Sequence, residues 1–194
     1  MKMKVLFFIF TTLLIVSLFF NLVMATTSTT EEKSSDILIT SIGQSADARM
    51  IKVVAQKFNL VCDFEQLAKA DIVKNYKILV FVVGGSSKGL GAAGIDKEQE
   101  LIRTRELVKE AKVRSLKILV MHVGGEARRG ALSDSFLNEV VPYADHLIIV
   151  EGGNKDGYFT NIGKEKEIPL EIVEKILETG ELMKNYFEKN LPNL

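Results

Sequence analysis

The chain has 194 residues, with 25 basic and 25 acidic side chains and a formal net charge of zero. Its 47% hydrophobic content is too high for a disordered chain, and without a basic excess it lacks the electrostatic footprint of a nucleic-acid binder. One cysteine, Cys62, excludes an internal disulfide, and with His122 and His146 it offers no ligand spacing for a metal.

The first element is apolar. Lys2 and Lys4 precede a run from Val5 to Met24, the order of a secretory n-region and h-region, with cleavage expected after Ala25. The same run, at ~1.5 Å per residue, is long enough to cross a bilayer. Residues 1–25 therefore read as a signal peptide or an N-terminal membrane anchor. The two lysines hold the N-terminus in the cytoplasm, and either reading places the rest outside it, secreted, periplasmic or anchored. The membrane is expected to be met only through this segment. Residues 26–35 are Thr-, Ser- and Glu-rich and read as a flexible tether. Residues 36–194 are long enough for one domain with a sizeable core.

Within the domain, Ile37–Thr40, Ile78–Val83, Ile118–Met121 and Leu147–Val150 are short, β-rich and nearly continuous in hydrophobicity. Strands of this kind are buried on both faces, as in a parallel sheet covered by helices. Val61–Phe64, which holds Cys62 as a small hydrophobe, and Leu170–Val173 are weaker strand candidates. Helical spacing links Met50, Val53 and Val54, then Phe136, Leu137 and Val140, and near the C-terminus Ile176, Gly180, Met183 and Phe187. Asp96 and Gln99 have the spacing of a capping box opening a helix to about Arg114. Its charges Arg103, Arg105, Glu106, Lys109, Glu110 and Lys112 are assigned to a solvated face. The order β-α-β-β-α-β-α-β-α-β-α predicts a single three-layer, doubly wound α/β domain with a mostly parallel sheet of five to six strands.

Ligands of such sheets bind outside the carboxyl ends of the strands. Four loops are placed there: 41–47, 84–94, 124–130 and 151–157. Most of the 14 glycines fall in them, and bare backbone can approach a ligand or form an anion nest. Gly89, Gly91 and Gly94 have the spacing of a dinucleotide fingerprint. The motif begins several residues after its strand, however, and no acidic residue ends a strand about twenty residues on, so that reading is rejected. No nucleophile elbow is present, and no cofactor is expected. The candidate ligand-binding set is Gln44, Ser45, Asp47, Gly85, Ser86, Ser87, Lys88, Gly125, Glu126, Arg128, Arg129, Asn154 and Lys155. Arginine forks suit a carboxylate or phosphate. Glu126, His122 and Asp156 are the candidate acids or bases if a reaction is catalysed. Local neutralisation of Arg128 or Arg129 by Glu126, and of Lys155 by Asp156, is the competing reading of these charges.

The strand-then-Gly-Gly alternation looks like flavodoxin-like and class I amidotransferase-like domains. The turn Met121-His122-Val123-Gly124-Gly125 has no cysteine, which removes the thiol chemistry of the second group, and loop 41–47 is not a flavin phosphate cradle. Segments 39–47, 83–96, 122–134 and 151–159 together resemble an exported prokaryotic domain family of unknown function, over about Asp36 to Phe187. The resemblance implies location and domain extent and carries no mechanism. The expected function is extracytoplasmic binding of a small anion at the glycine-rich loops, as a membrane-transporter accessory or sensor. A small-anion hydrolase or lyase, and an interaction domain docking a membrane partner, are the alternatives.

Overall fold

The computed structural model describes residues 35–191. The signal or anchor segment, 1–25, lies outside the described residues, as does all of the tether except Ser35. Among the described residues, no helix is long and apolar enough to cross a membrane.

Six parallel strands form one sheet in the order β2-β1-β3-β4-β5-β6: β1 Ile37–Ile42, β2 Asp63–Phe64, β3 Ile78–Val83, β4 Lys117–His122, β5 His146–Val150 and β6 Leu170–Val173. This is the flavodoxin-like order extended by one strand. The central strands are the apolar runs of the sequence. Every residue of β1 and β3 is buried, as burial on both faces demands. The edges are shorter and more polar, with β2 reduced to two residues and β6 half-exposed.

Among the described residues, seven α-helices complete the fold: α1 Asp47–Lys57, α2 Ala70–Val73, α3 Ser87–Ala92, α4 Lys97–Val113, α5 Ala131–Val140, α6 Tyr158–Glu165 and α7 Thr179–Asn190. Alternate strand residues face opposite layers. Leu79, Phe81, Val120 and Ile149 pack with Leu107 of α4, Phe136 of α5 and Phe159 of α6. Ile39, Val80, Met121 and Ile148 pack with Ile51 of α1 and Met183 and Phe187 of α7. The expected three-layer, doubly wound domain is therefore present, with a wholly parallel sheet.

Four local expectations are corrected. Met50 and Val53 do not face the core. They are 42% and 61% exposed, and Ala48, Ile51, Val54 and Ala55 form the buried stripe instead. Val61 and Cys62 stand outside β2. Cys62 is half-buried against the core, and burial, then the Asp63 charge, pushes its thiol up to about 12. Segment 84–94 is not one open loop, because α3 occupies its middle, capped by Ser86 Oγ accepting from Gly89 N at 3.0 Å. Arg103 is buried rather than on the solvated face of α4. The capping box itself is as expected: Asp96 Oδ1 accepts from Gln99 N at 2.8 Å, and Gln99 Oε1 accepts from Asp96 N at 2.9 Å.

Candidate functional site at the carboxyl edge of the sheet

The loops after β1, β3, β4 and β5 gather at one edge. The crevice between β1 and β3 is the topological switch point of this strand order, where α1 turns to one face of the sheet and α4 to the other. Here it is stitched shut by backbone. Gln44 and Gly85 form an antiparallel bridge, Ser45 N donates to Gly84 O at 3.1 Å, and Ser86 N donates to Gly43 O at 2.9 Å. Gln44 adopts a left-handed φ of 60° to make this turn.

A buried ion pair that the sequence reading missed holds the turn. Arg103 donates to both oxygens of Glu100, at 2.7 and 2.8 Å, and its remaining donors reach Ser41 O at 2.5 Å and Ala68 O at 2.7 Å. Glu100 Oε1 also accepts from Gly43 N at 2.7 Å and Gln44 Nε2 at 3.0 Å. Both side chains are almost wholly inside. Glu100 and Arg103 have the i, i+3 spacing of an ordinary surface pair on a helix. Only the long-range carbonyl partners mark them as interior.

Asp47, the first residue of α1, is 1% exposed. Its carboxylate lies between two bare backbones. A Cβ placed on Gly84 would stand 2.7 Å from Asp47 Oδ2, and one on Gly124 would stand 2.8 Å from it. Oδ2 has no hydrogen-bond partner among the described residues. The Arg128 stem crosses Gly124, and Arg128 Nε stands 3.7 Å from Asp47 Oδ1. Ser45 is also buried, its Oγ accepting from Asp47 N at 3.3 Å.

His122 ends β4 and is wholly buried. Nδ1 lies 2.9 Å from Val83 O and Nε2 3.3 Å from Gly125 O. A neutral imidazole carries one N–H, and the shorter contact assigns it to Nδ1. Burial lowers the pKa of His122 and outweighs the two carbonyls, which favour the charged ring.

The β4 and β5 loops are locked by charge. Lys155 pairs with Glu126, which raises the lysine pKa. Arg129 donates to Asp134 at 2.9 Å, to Asp156 at 2.8 and 2.9 Å and to Gly153 O at 2.6 Å, over the rings of Tyr158 and Phe159. The hydrogen bond from Arg129 holds Asp156 below the usual carboxylate range. Neutralisation is real but crosses between loops, with the partners exchanged relative to the sequence reading. Asn154 is also engaged: Oδ1 accepts from Phe159 N at 3.0 Å and Thr160 N at 3.3 Å, while Nδ2 donates to Thr160 Oγ1.

The thirteen candidates thus divide by what they touch. Gln44, Ser45, Ser86, Arg129 and Asn154 serve internal bonds, Asp47 is enclosed, and Gly85 bridges to Gln44. Glu126 and Lys155 hold each other. Ser87 and Lys88 are exposed on α3. Gly125 has open space where a side chain would stand, at a φ of +60°, and Arg128 is partly exposed beside it.

Fold and site define a doubly wound α/β domain whose carboxyl-edge loops are joined to one another by hydrogen bonds and ion pairs. Residues 34–187 match the DUF6305 domain of unknown function, and the chain belongs to that family. No match is found among curated protein sequences. Among the solved structures with a distant similarity are three of comparable length. They are a GDSL-like lipase from Bacteroides thetaiotaomicron (10% identity, TM-score 0.38, covering 80% of this chain and 88% of the other), the psychrotrophic esterase EstA from Pseudoalteromonas (10%, 0.33, 80% and 96%) and a mutant of the esterase AlinE4 (11%, 0.30, 80% and 83%).

Proposed function

We propose that this domain is an extracytoplasmic binding module that holds a small anion, a carboxylate or a phosphate, at the carboxyl edge of its sheet, as an accessory or sensor beside a membrane transporter. Arg128 carries the reading. Its side chain is 37% exposed, and its charged partner, Asp47, stands 3.7 Å away, beyond hydrogen-bond distance. The guanidinium fork remains available for a bidentate oxyanion. Lys88, exposed on the neighbouring α3 with no ion-pair partner among the described residues, adds a second positive charge. The N-terminus of α5 follows directly behind Gly130 and has no side-chain cap. Its backbone dipole favours an anion at the same loop. Export of the domain is supported by the charged and apolar order of residues 1–25.

A hydrolase or lyase reading has less support. Glu126 and Asp156 are engaged by Lys155 and Arg129, and His122 is enclosed between two carbonyls.

The test is thermal unfolding of residues 33–194, a compact unit, against acetate, malate, phosphate and sulfate. A ligand at ~100 times its Kd contributes roughly 2.7 kcal/mol, a Tm rise of about 5–11 °C for a domain of this size. The rise is expected with one class of oxyanion, lost in Arg128→Ala and reduced in Lys88→Ala. A flat panel, or a rise that survives Arg128→Ala, refutes the reading.

A further inference from the structure

The opposite, amino edge of the sheet carries a cleft of about 360 Å³ between α7 and the first residues of β4, β5 and β6. That volume falls near the lower end of small-molecule sites, ~300–1,000 Å³. Two ion pairs line it. Lys117 Nζ meets Asp145 Oδ1 at 3.0 Å, and His146 Nε2 meets Glu171 Oε2 at 2.8 Å. Asp145 is engaged at both oxygens, because Oδ2 accepts from Ile118 N at 2.8 Å. Glu171 is not: one oxygen holds His146, and the side chain is 42% exposed.

Tyr186 points to a ligand independently. It is 7% exposed, its ring lies 5.1 Å from the His146 ring, and its hydroxyl is buried with no hydrogen-bond partner among the described residues. Tyr186 lines the cleft, and buried hydroxyls are nearly always bonded, so its orphan O–H calls for an acceptor. Burial, and then the Asp145 charge, pushes the phenol pKa up, so the group remains an O–H donor at neutral pH. Lys189, exposed in the last turn of α7, has no ion-pair partner among the described residues. Pro169 and Leu182 supply apolar wall.

Lys117 and Lys189 balance Asp145 and Glu171, so the cleft favours a dipolar ligand over a net ion. We propose that it binds a small zwitterion of the α-amino-acid type. The ammonium meets the unengaged oxygen of Glu171, the carboxylate meets the Tyr186 hydroxyl and the Lys189 ammonium, and an apolar side chain lies on Pro169 and Leu182.

The test is an amide NMR titration of ¹⁵N-labelled residues 33–194 with each protein amino acid singly. Isovalerate and isobutylamine, which are valine without its ammonium and without its carboxylate, serve as controls. Saturable shifts are expected at residues 145–147, 170–172 and 186–190 with an apolar amino acid and not with either control. Tyr186→Phe and Glu171→Gln should each weaken binding about tenfold, which is ~1.4 kcal/mol. Arg128→Ala, at the other edge, should leave it unchanged. Tyr186→Phe keeps the ring in place, so the fold survives and the affinity can be read. The absence of saturable shifts with every amino acid overturns the proposal. So does equal binding of either control, or unaltered affinity in Tyr186→Phe.

Discussion

Gly89 and Gly91 sit two residues apart on α3 and answer to different demands. A Cβ at Gly89 would collide with the Gln44 carbonyl oxygen, so the close approach of the β1 and β3 loops depends on that bare backbone. A Cβ at Gly91 would meet nothing within 4 Å. Gly89→Ala is expected to destabilise by about 1–3 kcal/mol, the usual cost of overpacking. Gly91→Ala should stabilise by up to ~1 kcal/mol through helix propensity. Urea unfolding distinguishes them, and equal effects would break the argument. His122 yields a prediction in pH at the same scale. Its folded pKa is depressed by burial below the unfolded value of about 6.5, so the unfolded chain takes the proton first. The stability from neutral His122 is complete above about pH 6.5 and is lost as pH falls towards the folded pKa. The wild-type urea midpoint should drop across that window, and the drop should be smaller in His122→Gln. Identical profiles would place the slope elsewhere.

At the scale of elements, α4 does more than cover the sheet. Through Glu100 and Arg103 it holds the Gly43–Gln44 turn and the Ser41 and Ala68 carbonyls. Arg103→Met leaves Glu100 charged and buried without its counter-ion, and should cost about 3–5 kcal/mol in urea unfolding. Adding Glu100→Gln to Arg103→Met should recover part of that loss, because the amide oxygen can still accept from Gly43 N without a charge. A double variant no more stable than Arg103→Met would show that the charge is not the cause. This pair also marks where the sequence stops being readable. Strands β1, β3, β4 and β5 were legible because burial on both faces leaves apolar runs that no exposed element needs. The edge strands were weaker because only one neighbour constrains them. Helices α2 and α3 are too short to show a period. Met50 and Val53 misled because period alone does not say which stripe of α1 turns inward. At the carboxyl edge, the gathering of loops followed from topology, since residues after parallel strands share one side. The pairing of Arg129 with Asp156 and of Lys155 with Glu126 did not follow, because it joins separate loops. The amino-edge cleft was illegible for the same reason: His146, Glu171 and Tyr186 belong to β5, β6 and α7 and meet only in the fold.

For the whole domain, the sheet is shared by both helical layers, and neither layer has a core without it. Phe81 and Val120 face α4 to α6, while their neighbours Val80 and Met121 face α1 and α7. Loss of either layer exposes the other side of the same strands, so residues 33–194 should unfold as one cooperative unit. Leu107→Ala in α4 and Met183→Ala in α7 each remove a fully buried side chain from opposite faces. Each should cost about 2–5 kcal/mol. At about 2–4 °C per kcal/mol, Tm should fall by roughly 4–20 °C in a single transition, with near- and far-ultraviolet dichroism coincident. Separated transitions in either variant would mean that the layers unfold independently. Cooperativity also governs how binding is read. A ligand at the carboxyl edge and one at the amino edge stabilise the same unit and raise the same Tm, so a thermal shift alone cannot locate its source. Location comes from the variants, because Arg128→Ala touches one edge and Tyr186→Phe the other, with the buried sheet between them.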